Sequence, residues 1–574
     1  MEKEIIDFIS QNNLSYINSR KTTIKAQASI FKTTDAKAVA TNLIQHISKN
    51  FFFADTSNIF NFFPFIGDEK EIKKRQDFFT SQRNKTNIFL KEIKIPRPNW
   101  KVPYAITSAT EDETTFLEMK KQGIPCRLII SESDLSSLEQ FDLVYVIDCE
   151  QYSRALEMLA SSVFVNNIDE IYLERHLSEL SGWKENITLL KNQNDLPEKV
   201  KLIVNELDKT LLLLEQGSFE EIDEKRIEHA LREINLHVQE KLKTFTFGGE
   251  ELMMMMQKGI LPPAINSLIT SEIISTKLPQ ILFKKSIPVQ LDEEEVEKLL
   301  RKQSADKFTA FAKKILKEKN TLRNIPKLLK ELSNYLIYLD FVGGIGREIA
   351  NNNDRIEIST ELVIEESKNK LIDRAEPISF HLSEKFPCSI LTGANSGGKT
   401  TLLEHIIQII VQSNLGLPSE GRIKTPIFSE VYYFAKNKGS ASKGAFETLL
   451  TQLATIKPGK QTIILADEVE AVTEPGVAGR IMQATIEYFV PRGCYMVIAT
   501  HLGQELQKQQ PANTRIDGIE AIGLNEKFEL IVNHNPVLGK LARSTPELIV
   551  ERMSKTNKNE YFDHLYKQIK NDKK

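Results

Sequence analysis

The spacing of apolar residues changes along this chain and predicts its organisation. From 103 to 167, short apolar runs such as CRLII and DLVYVI alternate with helix-like stretches, the pattern of a small α/β domain. From 168 to 351, apolar residues recur with helical spacing, which predicts long amphipathic helices. Strand-like and helix-like stretches alternate again from 352 to 541, whereas 1–102 and 542–574 read as mostly helical. We therefore predict a multidomain protein of α and α/β parts.

Length, charge and cysteine positions indicate how many domains to expect and which environments and partners are compatible with the chain. A chain of 574 residues exceeds what one hydrophobic core supports, so several domains are expected. No apolar run approaches the roughly 18 residues that cross a bilayer, and the acidic start MEKEIIDFISQNN is unlike a secretory signal. We therefore predict a cytoplasmic protein without membrane contact.

The formal net charge of -3 gives the chain no overall attraction to nucleic acid, so any such contact must come from local basic patches. Reduced, buried thiols are expected at Cys126, Cys149, Cys388 and Cys494.

The segment LTGANSGGKTT, residues 391–401, matches the spacing of a phosphate-binding loop. It follows the strand-like CSIL and precedes the helix-like LLEHIIQIIV, the context in which such loops bind nucleotides. Glycines let backbone N–H groups turn toward phosphates, and the helix N-terminus adds partial positive charge. We predict that Lys399 reaches the β and γ phosphates of ATP and that Thr400 binds Mg²⁺. The predicted nucleotide-binding residues are Gly393, Ala394, Asn395, Ser396, Gly397, Gly398, Lys399, Thr400 and Thr401.

Two further strand ends supply groups that ATP hydrolysis needs. QTIILADEVEA ends in two carboxylates, of which Asp467 is predicted to hold Mg²⁺ with Thr400, and Glu468 to activate the attacking water. CYMVIATH ends at His501, whose side chain is predicted to contact the γ phosphate or the water. These features in this order predict an ATPase with Glu468 and His501 as catalytic residues. Lys399 and Asp467 are 68 positions apart, too close for the coiled-coil insertion of chromosome-condensing ATPases. No transporter-type L-S-G-G-Q lies between them.

Other features allow more than one interpretation. Asp148 and Glu150, at a predicted strand end, either cap the following helix or belong to a nuclease site. The methionines 253–256 are interpreted as flexible core filling rather than a ligand site. Two basic stretches either contact phosphates of a nucleic acid or form solvated surface. They contain Arg83, Lys85, Lys91, Lys94, Arg97 and Lys101 near Phe89 and Trp100, and Lys307, Lys313, Lys314, Lys317, Lys319, Arg323 and Lys327.

The motifs resemble those of the MutS family. TGANSGGKTT is similar to that family's T-G-P-N-x-G-G-K-[ST] loop, and ATHLGQEL to its A-T-H-x-x-x-L segment. ADEVEAVTEPG resembles the D-E-L-G-x-G-T-D-P segment of a second, non-mismatch-repair bacterial lineage, and weaker similarity extends from about Pro64. The resemblance implies a helical lever and clamp core with a small α/β insertion, followed by a C-terminal ABC-type P-loop ATPase domain. It also implies a homodimer joined through the ATPase domains.

By this resemblance, ATP binding and hydrolysis would open and close a clamp around DNA. A ribosome-associated ATPase that splits stalled ribosomes is the alternative, and mismatch repair or nuclease activity are weaker ones. The Phe-x-Glu wedge of the mismatch-reading domain is not recognised, since the FLE at 116–118 falls in a predicted helix. We therefore expect branched, recombination-type or non-specific duplex DNA as the ligand. We also expect the small nuclease domain of the second lineage to be missing.

Departures from the family's motifs affect the predicted coupling. The signature S-T-F, which presents a serine to the partner subunit's nucleotide, is replaced here by Gly444, Ala445 and Phe446. A backbone N–H, Ser440 or Ser442 is a candidate substitute for that serine. The glycines that follow the acidic pair are replaced by Glu470 and Val472, which is expected to alter the rate of hydrolysis.

Overall fold

The structure is a computed structural model of the chain that describes two compact units. It covers all residues except 19–29, 66, 103, 216–223, 247, 352–353, 394–397, 437–442, 469–474, 525–529, 543–544, 557–558 and 572–574. One unit consists of 1–93 and 333–574, and the other of 94–332. Both contain helices and parallel sheet, so the predicted mixed α/β class is confirmed. Within the described ranges, no helix is long and apolar enough to cross a membrane.

The first unit opens with helices α1 (Glu2–Gln11), α2 (Thr34–Ser48) and α3 (Glu69–Thr80). Capping side chains mark where two of them begin. Thr33 accepts a hydrogen bond from the Ala36 N–H at the start of α2, and Asp68 accepts one from the Lys70 N–H at the start of α3. Buried apolar faces then pack these helices onto the rest of the unit, and in α3 the ring of Phe79 lies 6.2 Å from that of Phe341.

The second unit begins with a small sheet whose strands are separated by short helices. Its elements are β1 (Ile106–Thr110), α4 (Glu113–Lys121), β2 (Cys126–Leu128), α5 (Glu132–Ser136), β3 (Leu143–Val146), α6 (Ser153–Glu157) and β4 (Ser162–Phe164). The four strands are parallel in the order β2-β1-β3-β4. Strands β1 and β3 are buried throughout, as expected for the centre of a parallel sheet covered on both faces. The FLE at 116–118 lies in α4, as expected.

The rest of the second unit consists mainly of helices, with one short β-hairpin among them. The hairpin of this unit consists of β5 (Phe283–Lys284) and β6 (Gln290–Leu291). Its helices are α7 (Glu174–Ser181), α8 (Lys184–Lys191), α9 (Glu198–Glu215), α10 (Glu224–Leu242), α11 (Gly249–Lys258), α12 (Pro263–Ser275) and α13 (Glu293–Lys317). Helix α13 supplies Ala312 to the core under the small sheet, and its Phe308 ring lies 4.5 Å from that of Tyr104. The small sheet therefore gains part of its core from a helix far away in sequence.

The interpretation of methionines 253–256 as core filling is wrong for three of them. Met255 packs against the cluster formed by α10, α12 and the hairpin. Met253, Met254 and Met256 are exposed, the last by 82%. The reason is geometric, because four consecutive residues of a helix point to different sides and α11 packs through only one of them.

The last described part of the chain begins with α14 (Lys319–Glu348), which belongs to the first unit from Ser333 onward. The elements after it are β7 (Glu357–Ile358), β8 (Leu362–Ser367), β9 (Ile378–Leu382), β10 (Cys388–Gly393), α15 (Lys399–Leu415), β11 (Arg422–Thr425), β12 (Glu430–Phe434), α16 (Lys443–Ala454), β13 (Thr462–Asp467), α17 (Pro475–Phe489), β14 (Tyr495–Ala499), α18 (Gly503–Lys508), β15 (Thr514–Ile519), β16 (Ala521–Leu524), β17 (Leu530–Val532), α19 (Thr545–Thr556) and α20 (Glu560–Asn571).

Two larger sheets organise the first unit. One has the order β12-β13-β14-β10-β15, and all four of its strand pairings are parallel. The other has the order β7-β11-β8-β9. The N-terminal segment also joins the first sheet, because Phe31 forms a parallel bridge with Val431 at the outer edge of β12. This contact covers an edge whose backbone groups would otherwise need other partners.

The thiols are only partly as expected. All four cysteines are free, and Cys388 and Cys494 are buried in the first unit. Cys126 and Cys149 are half-buried in the second unit, because Cys126 begins the edge strand β2 and Cys149 lies in the segment that follows β3. The expectation of buried thiols therefore holds for two of the four.

Gly346 in α14 is a position where the packing leaves no space for a side chain. A Cβ atom there would overlap the carbonyl oxygen of Lys85, which is backbone and cannot move aside cheaply. Gly346→Ala is therefore expected to lower the free energy of unfolding by about 1–3 kcal/mol, the usual cost of overpacking. Gly479 is the matched control within α17, since the nearest atom to an added Cβ lies at 3.8 Å. Gly479→Ala should be neutral or stabilising by up to about 1 kcal/mol. Urea unfolding of both variants checks this, and equal midpoints would contradict the packing.

Candidate active site

Four parallel strands end beside one another at the same edge of the larger sheet. Strand β10 lies between β14 and β15, and β13 lies between β12 and β14. In this register Leu391 and Asp467 both pair with Ala499. Parallel strands bring the residues that follow them to one edge, which is where open α/β sheets bind ligands. We call the group formed there by Gly393, Gly398, Lys399, Thr400, Lys436, Asp467, Glu468 and His501 the strand-edge site.

The described part of the phosphate-loop sequence has the backbone that such a loop requires. Gly393 ends β10 with a φ of 130°, and a Cβ atom there would overlap the carbonyl oxygen of Ile519. Gly398 has a φ of 89° and precedes the first residue of α15. Both conformations favour glycine. The predicted residues Ala394, Asn395, Ser396 and Gly397 lie outside the described residues.

Lys399 starts α15 and is almost completely buried. Its ammonium group donates a hydrogen bond to the Gly393 carbonyl at 2.6 Å and lies 3.5 Å from a carboxylate oxygen of Glu468. A buried ammonium group needs such partners to offset the loss of water. Lys399 therefore spans the space between the two ends of the loop and the acidic pair.

Thr400 and Asp467 are in direct contact. The Thr400 hydroxyl donates to one oxygen of Asp467 at 2.5 Å, and the other oxygen, Oδ1, is buried with no hydrogen-bond partner among the described residues. Burial raises the pKa of Asp467, and the Thr400 hydroxyl lowers it only in part. A carboxylate oxygen without a partner beside a hydroxyl matches the oxygen ligands that Mg²⁺ prefers. The residues present thus fit the predicted metal, although the described residues contain no cluster of three or more His, Cys, Asp or Glu.

Glu468 is held from several sides. His501 Nε2 lies 2.8 Å from its Oε1, and Lys436 Nζ contacts its Oε2. Burial works to raise the pKa of Glu468, but the Lys436 hydrogen bond and the charges of His501 and Lys399 outweigh burial and lower it. Glu468 also has a φ of 47°, a left-handed conformation that costs free energy in a residue other than glycine. Strain and convergent polar partners at one carboxylate are typical of functional sites.

A cleft of about 490 Å³ opens beside the start of α15. It is lined by Lys399, Thr400 and Thr401 on one side. The rest of the lining combines apolar side chains with polar and charged ones, and it includes Asn369, Ile372, Arg374, Ala375, Glu376, Ile378 and His534. The Asn369 amide donates to the Thr401 carbonyl at 3.3 Å, and its oxygen accepts from Gln408 at 2.9 Å. Asn369 thus ties this lining to α15.

Sequence reasoning missed Lys436 and the lining that precedes β10. Lys436 ends the run EVYYFAK, so a basic residue at the end of a buried strand was the available signal. The lining residues carry no comparable pattern. Of the region expected to act on a partner's nucleotide, 444–446 lies in α16, whereas Ser440, Ser442, Glu470 and Val472 lie outside the described residues.

The acidic residues of the small sheet have other partners than expected. Asp148 accepts a hydrogen bond from the Thr115 hydroxyl at 2.8 Å. The backbone N–H groups of 150–152, which lead into α6, all donate to Glu111, and the N-cap residue of α6, Tyr152, makes no side-chain capping bond. The prediction that Asp148 and Glu150 cap the following helix is therefore wrong. Glu111, the residue directly after β1, reaches these N–H groups instead.

Several members of the two basic stretches form ion pairs within the second unit. Lys94 pairs with Glu185 at 2.7 Å, Lys319 with Glu170 at 2.7 Å, and Arg323 with Asp169 at 2.5 Å. Lys313, Lys317 and Lys327 are exposed. The positive charge of each stretch is thus smaller than its composition indicates.

Comparison with known proteins finds relatives whose names include MutS2. No protein-family model matches the chain. It is 29% identical over 478 residues to the DNA-binding protein MutS2 of Pyrococcus furiosus, which covers 75% of this chain and 83% of that protein. It is 22% identical over 449 residues to the endonuclease MutS2 of Caldanaerobacter subterraneus subsp. tengcongensis, covering 71% of this chain and 53% of the relative. The endonuclease MutS2 of Caldicellulosiruptor bescii is 22% identical over 364 residues, 56% of this chain and 44% of the relative. The chain therefore spans most of the Pyrococcus relative and about half of the other two.

Proposed function

The chain is a MutS-related protein, and from that premise we propose that it binds and hydrolyses ATP at the strand-edge site and couples this to DNA binding. The observation that carries the proposal is the contact between Thr400 and Asp467 beside the buried Lys399. A phosphate-binding lysine, a metal-binding pair and a carboxylate that can act as a base meet at one place.

Lys399 and the first N–H groups of α15 are the phosphate-binding groups in this proposal. A helix N-terminus favours anions, and an ammonium group adds a full charge. Phosphate oxygens would replace the Gly393 carbonyl and Glu468 as partners of Lys399. The cleft beside them has the volume of a small-molecule site, and Ile372 and Ile378 offer apolar surface to a base while Arg374 and His534 offer polar groups.

Thr400 and Asp467 would hold Mg²⁺, which when bound neutralises negative charge on the phosphates. The Asp467 oxygen that has no partner within the described part of the chain supports this assignment. Glu468 would then take the proton that water loses as the water oxygen bonds to the γ phosphorus and the bond to the β–γ bridging oxygen breaks. His501, in contact with Glu468, would orient that carboxylate.

DNA is the partner we propose, since one relative is named a DNA-binding protein. We further propose that the helices of the second unit form the lever and clamp part, and that a homodimer forms through the ATPase part of the first unit. Exposed lysines on α13 and α14 supply local positive charge where the net charge does not.

Gel shifts test the DNA proposal on branched, linear and mismatched duplexes, with and without ATP, at several salt concentrations. We expect branched or linear duplex to bind, with affinity falling as salt rises, by a slope of about −0.9 for each phosphate contact. Replacement of Lys313, Lys317 and Lys327 by alanine should weaken binding and reduce the slope. Lys319→Met is the matched control, because that lysine is already paired with Glu170. Failure to retain any duplex at low salt, together with co-sedimentation with ribosomes, would instead favour the ribosome-splitting alternative.

A further inference from the structure

Lys436 is a cation of the strand-edge site that none of the recognised motifs contains. In the parallel pairing of β12 with β13, Phe434 lies opposite Ala466. Lys436 and Glu468 each lie two positions further along, so the sheet register itself brings them together. The Lys436 side chain remains 45% exposed, whereas that of Glu468 is 7% exposed. The lysine thus reaches in from the rim of the site to a buried carboxylate.

Both oxygens of Glu468 are occupied in this arrangement. Oε1 has His501 at 2.8 Å and Lys399 at 3.5 Å, and Oε2 has Lys436. Phosphate groups would compete for Lys399, as argued above. They would not by themselves free Oε2, because Lys436 approaches from the neighbouring strand.

The N-terminal segment 30–35 fixes the backbone that carries Lys436. It runs along the outer edge of β12, opposite the side on which β13 pairs. Its hydrogen bonds join Val431 N–H to Ile30 O at 2.8 Å, Lys32 N–H to Val431 O at 2.9 Å, Tyr433 N–H to Thr33 Oγ1 at 3.0 Å and Ala435 N–H to Asp35 Oδ2 at 3.1 Å. The last of these lies one residue before Lys436. Asp35 therefore holds the backbone directly before the residue that carries this side chain.

We propose that Lys436 is a positioning residue that restrains Glu468 and thereby limits the basal rate of hydrolysis, with the N-terminal segment holding the restraint in place. This inference rests on the proposed ATPase function. A carboxylate can accept a proton from water only through an oxygen that faces the water, and Lys436 occupies Oε2 through a charge-assisted hydrogen bond. Movement of the N-terminal segment or of β12 would release Oε2, so the segment is a place at which the rate is regulated.

Lys436→Met tests the restraint with a side chain of similar length and no charge. We expect kcat for ATP hydrolysis to rise roughly 3- to 10-fold, as expected when one half-exposed charge-assisted hydrogen bond is lost, with KM changed less than about twofold. Lys436→Arg keeps the cation and should restore the rate of the unchanged protein. A Met variant that binds ATP and hydrolyses it at or below the unchanged rate would overturn the proposal.

Asp35→Ala tests the same restraint from outside the site. It removes the acceptor of the Ala435 N–H and should raise kcat in the same direction but by less than Lys436→Met. Asp35→Asn keeps an oxygen acceptor and is the matched control. An Asp35→Ala rate equal to that of Asp35→Asn would refute the part assigned to the N-terminal segment.

ATP binding, measured on each sample by calorimetry, distinguishes failure of the proposed ATPase function from failure of the proposed restraint. Absence of binding by the unchanged protein refutes the ATPase function, whereas binding with an unraised rate in Lys436→Met refutes only the restraint.

Discussion

Lys399→Ala is expected to remove most of the affinity for ATP. The ammonium group is buried and has the Gly393 carbonyl and Glu468 as partners, so it is held at the start of α15 where phosphates would bind. A hydrogen bond to a charged group contributes about 1.5–3 kcal/mol, and two such bonds to phosphate would account for a loss of roughly a hundredfold or more in Kd. Isothermal titration calorimetry with Mg²⁺ and ATP measures this loss directly.

Lys385→Ala is the control for the lysine substitution. Lys385 is an exposed lysine of the same unit whose ammonium group lies 5.2 Å from the ring centre of Phe386. Its replacement removes the same charge from the chain but not from the strand-edge site, so the Kd should stay unchanged. Equal affinity of the Lys399→Ala variant and the unchanged protein would show that LTGANSGGKTT does not bind nucleotide.

Glu468→Gln is expected to leave ATP bound and to stop its hydrolysis. Glutamine has nearly the same shape but cannot accept a proton from water, and a well-placed general base contributes about 10²- to 10⁴-fold to a rate. We therefore expect kcat to fall by roughly that factor, while the affinity for ATP stays within about tenfold. Phosphate release under saturating ATP measures the rate. Trapped ATP should also stabilise the proposed dimer, which sedimentation velocity detects.

Glu365→Gln is the control for the loss of a carboxylate. Glu365 lies on β8 and pairs with Arg422 at 3.7 Å, and both side chains are more than half exposed. A surface pair of this kind contributes little, so the rate should not change. If Glu468→Gln hydrolysed ATP as fast as Glu365→Gln, Glu468 would not be the base.

The sequence indicated the parts of the site that depend on short stretches of chain. Gly393, Gly398 and Lys399 lie within a few residues of each other, and their roles follow from the turn that joins a strand to a helix. Thr400 and Asp467 were predicted to act together, and the structure brings them to 2.5 Å. That prediction needed only the rule that buried strands in an α/β domain end at the same edge.

The contact between Lys436 and Glu468 could not be predicted from the sequence. That contact depends on which strand lies beside β13 and in which register, and the parallel order β12-β13-β14-β10-β15 is set by pairings distant in sequence. Glu111 was missed for the same reason, since it reaches the N–H groups of 150–152 from the end of the neighbouring strand β1.

The spacing of apolar residues predicted whether a segment is a strand or a helix, but it did not predict which other elements pack against that segment. The alternation between 103 and 167 predicted strands and helices, but it gave no sign that Ala312 of α13 packs beneath that sheet. The methionines 253–256 were assigned to a core from composition alone. Which side of α11 is buried depends on α10 and α12, whose positions only the structure supplies.

The most direct test of the central claim, that the strand-edge site holds ATP through Mg²⁺, is calorimetric titration of ATP into Glu468→Gln with and without Mg²⁺. The variant prevents turnover, so the heat reports binding alone. We predict one ATP per chain in Mg²⁺ and affinity at least about tenfold weaker when the metal is chelated, since Thr400 and Asp467 then have no ion to hold. No binding in Mg²⁺, or binding of equal strength in its absence, would contradict the assignment of this site.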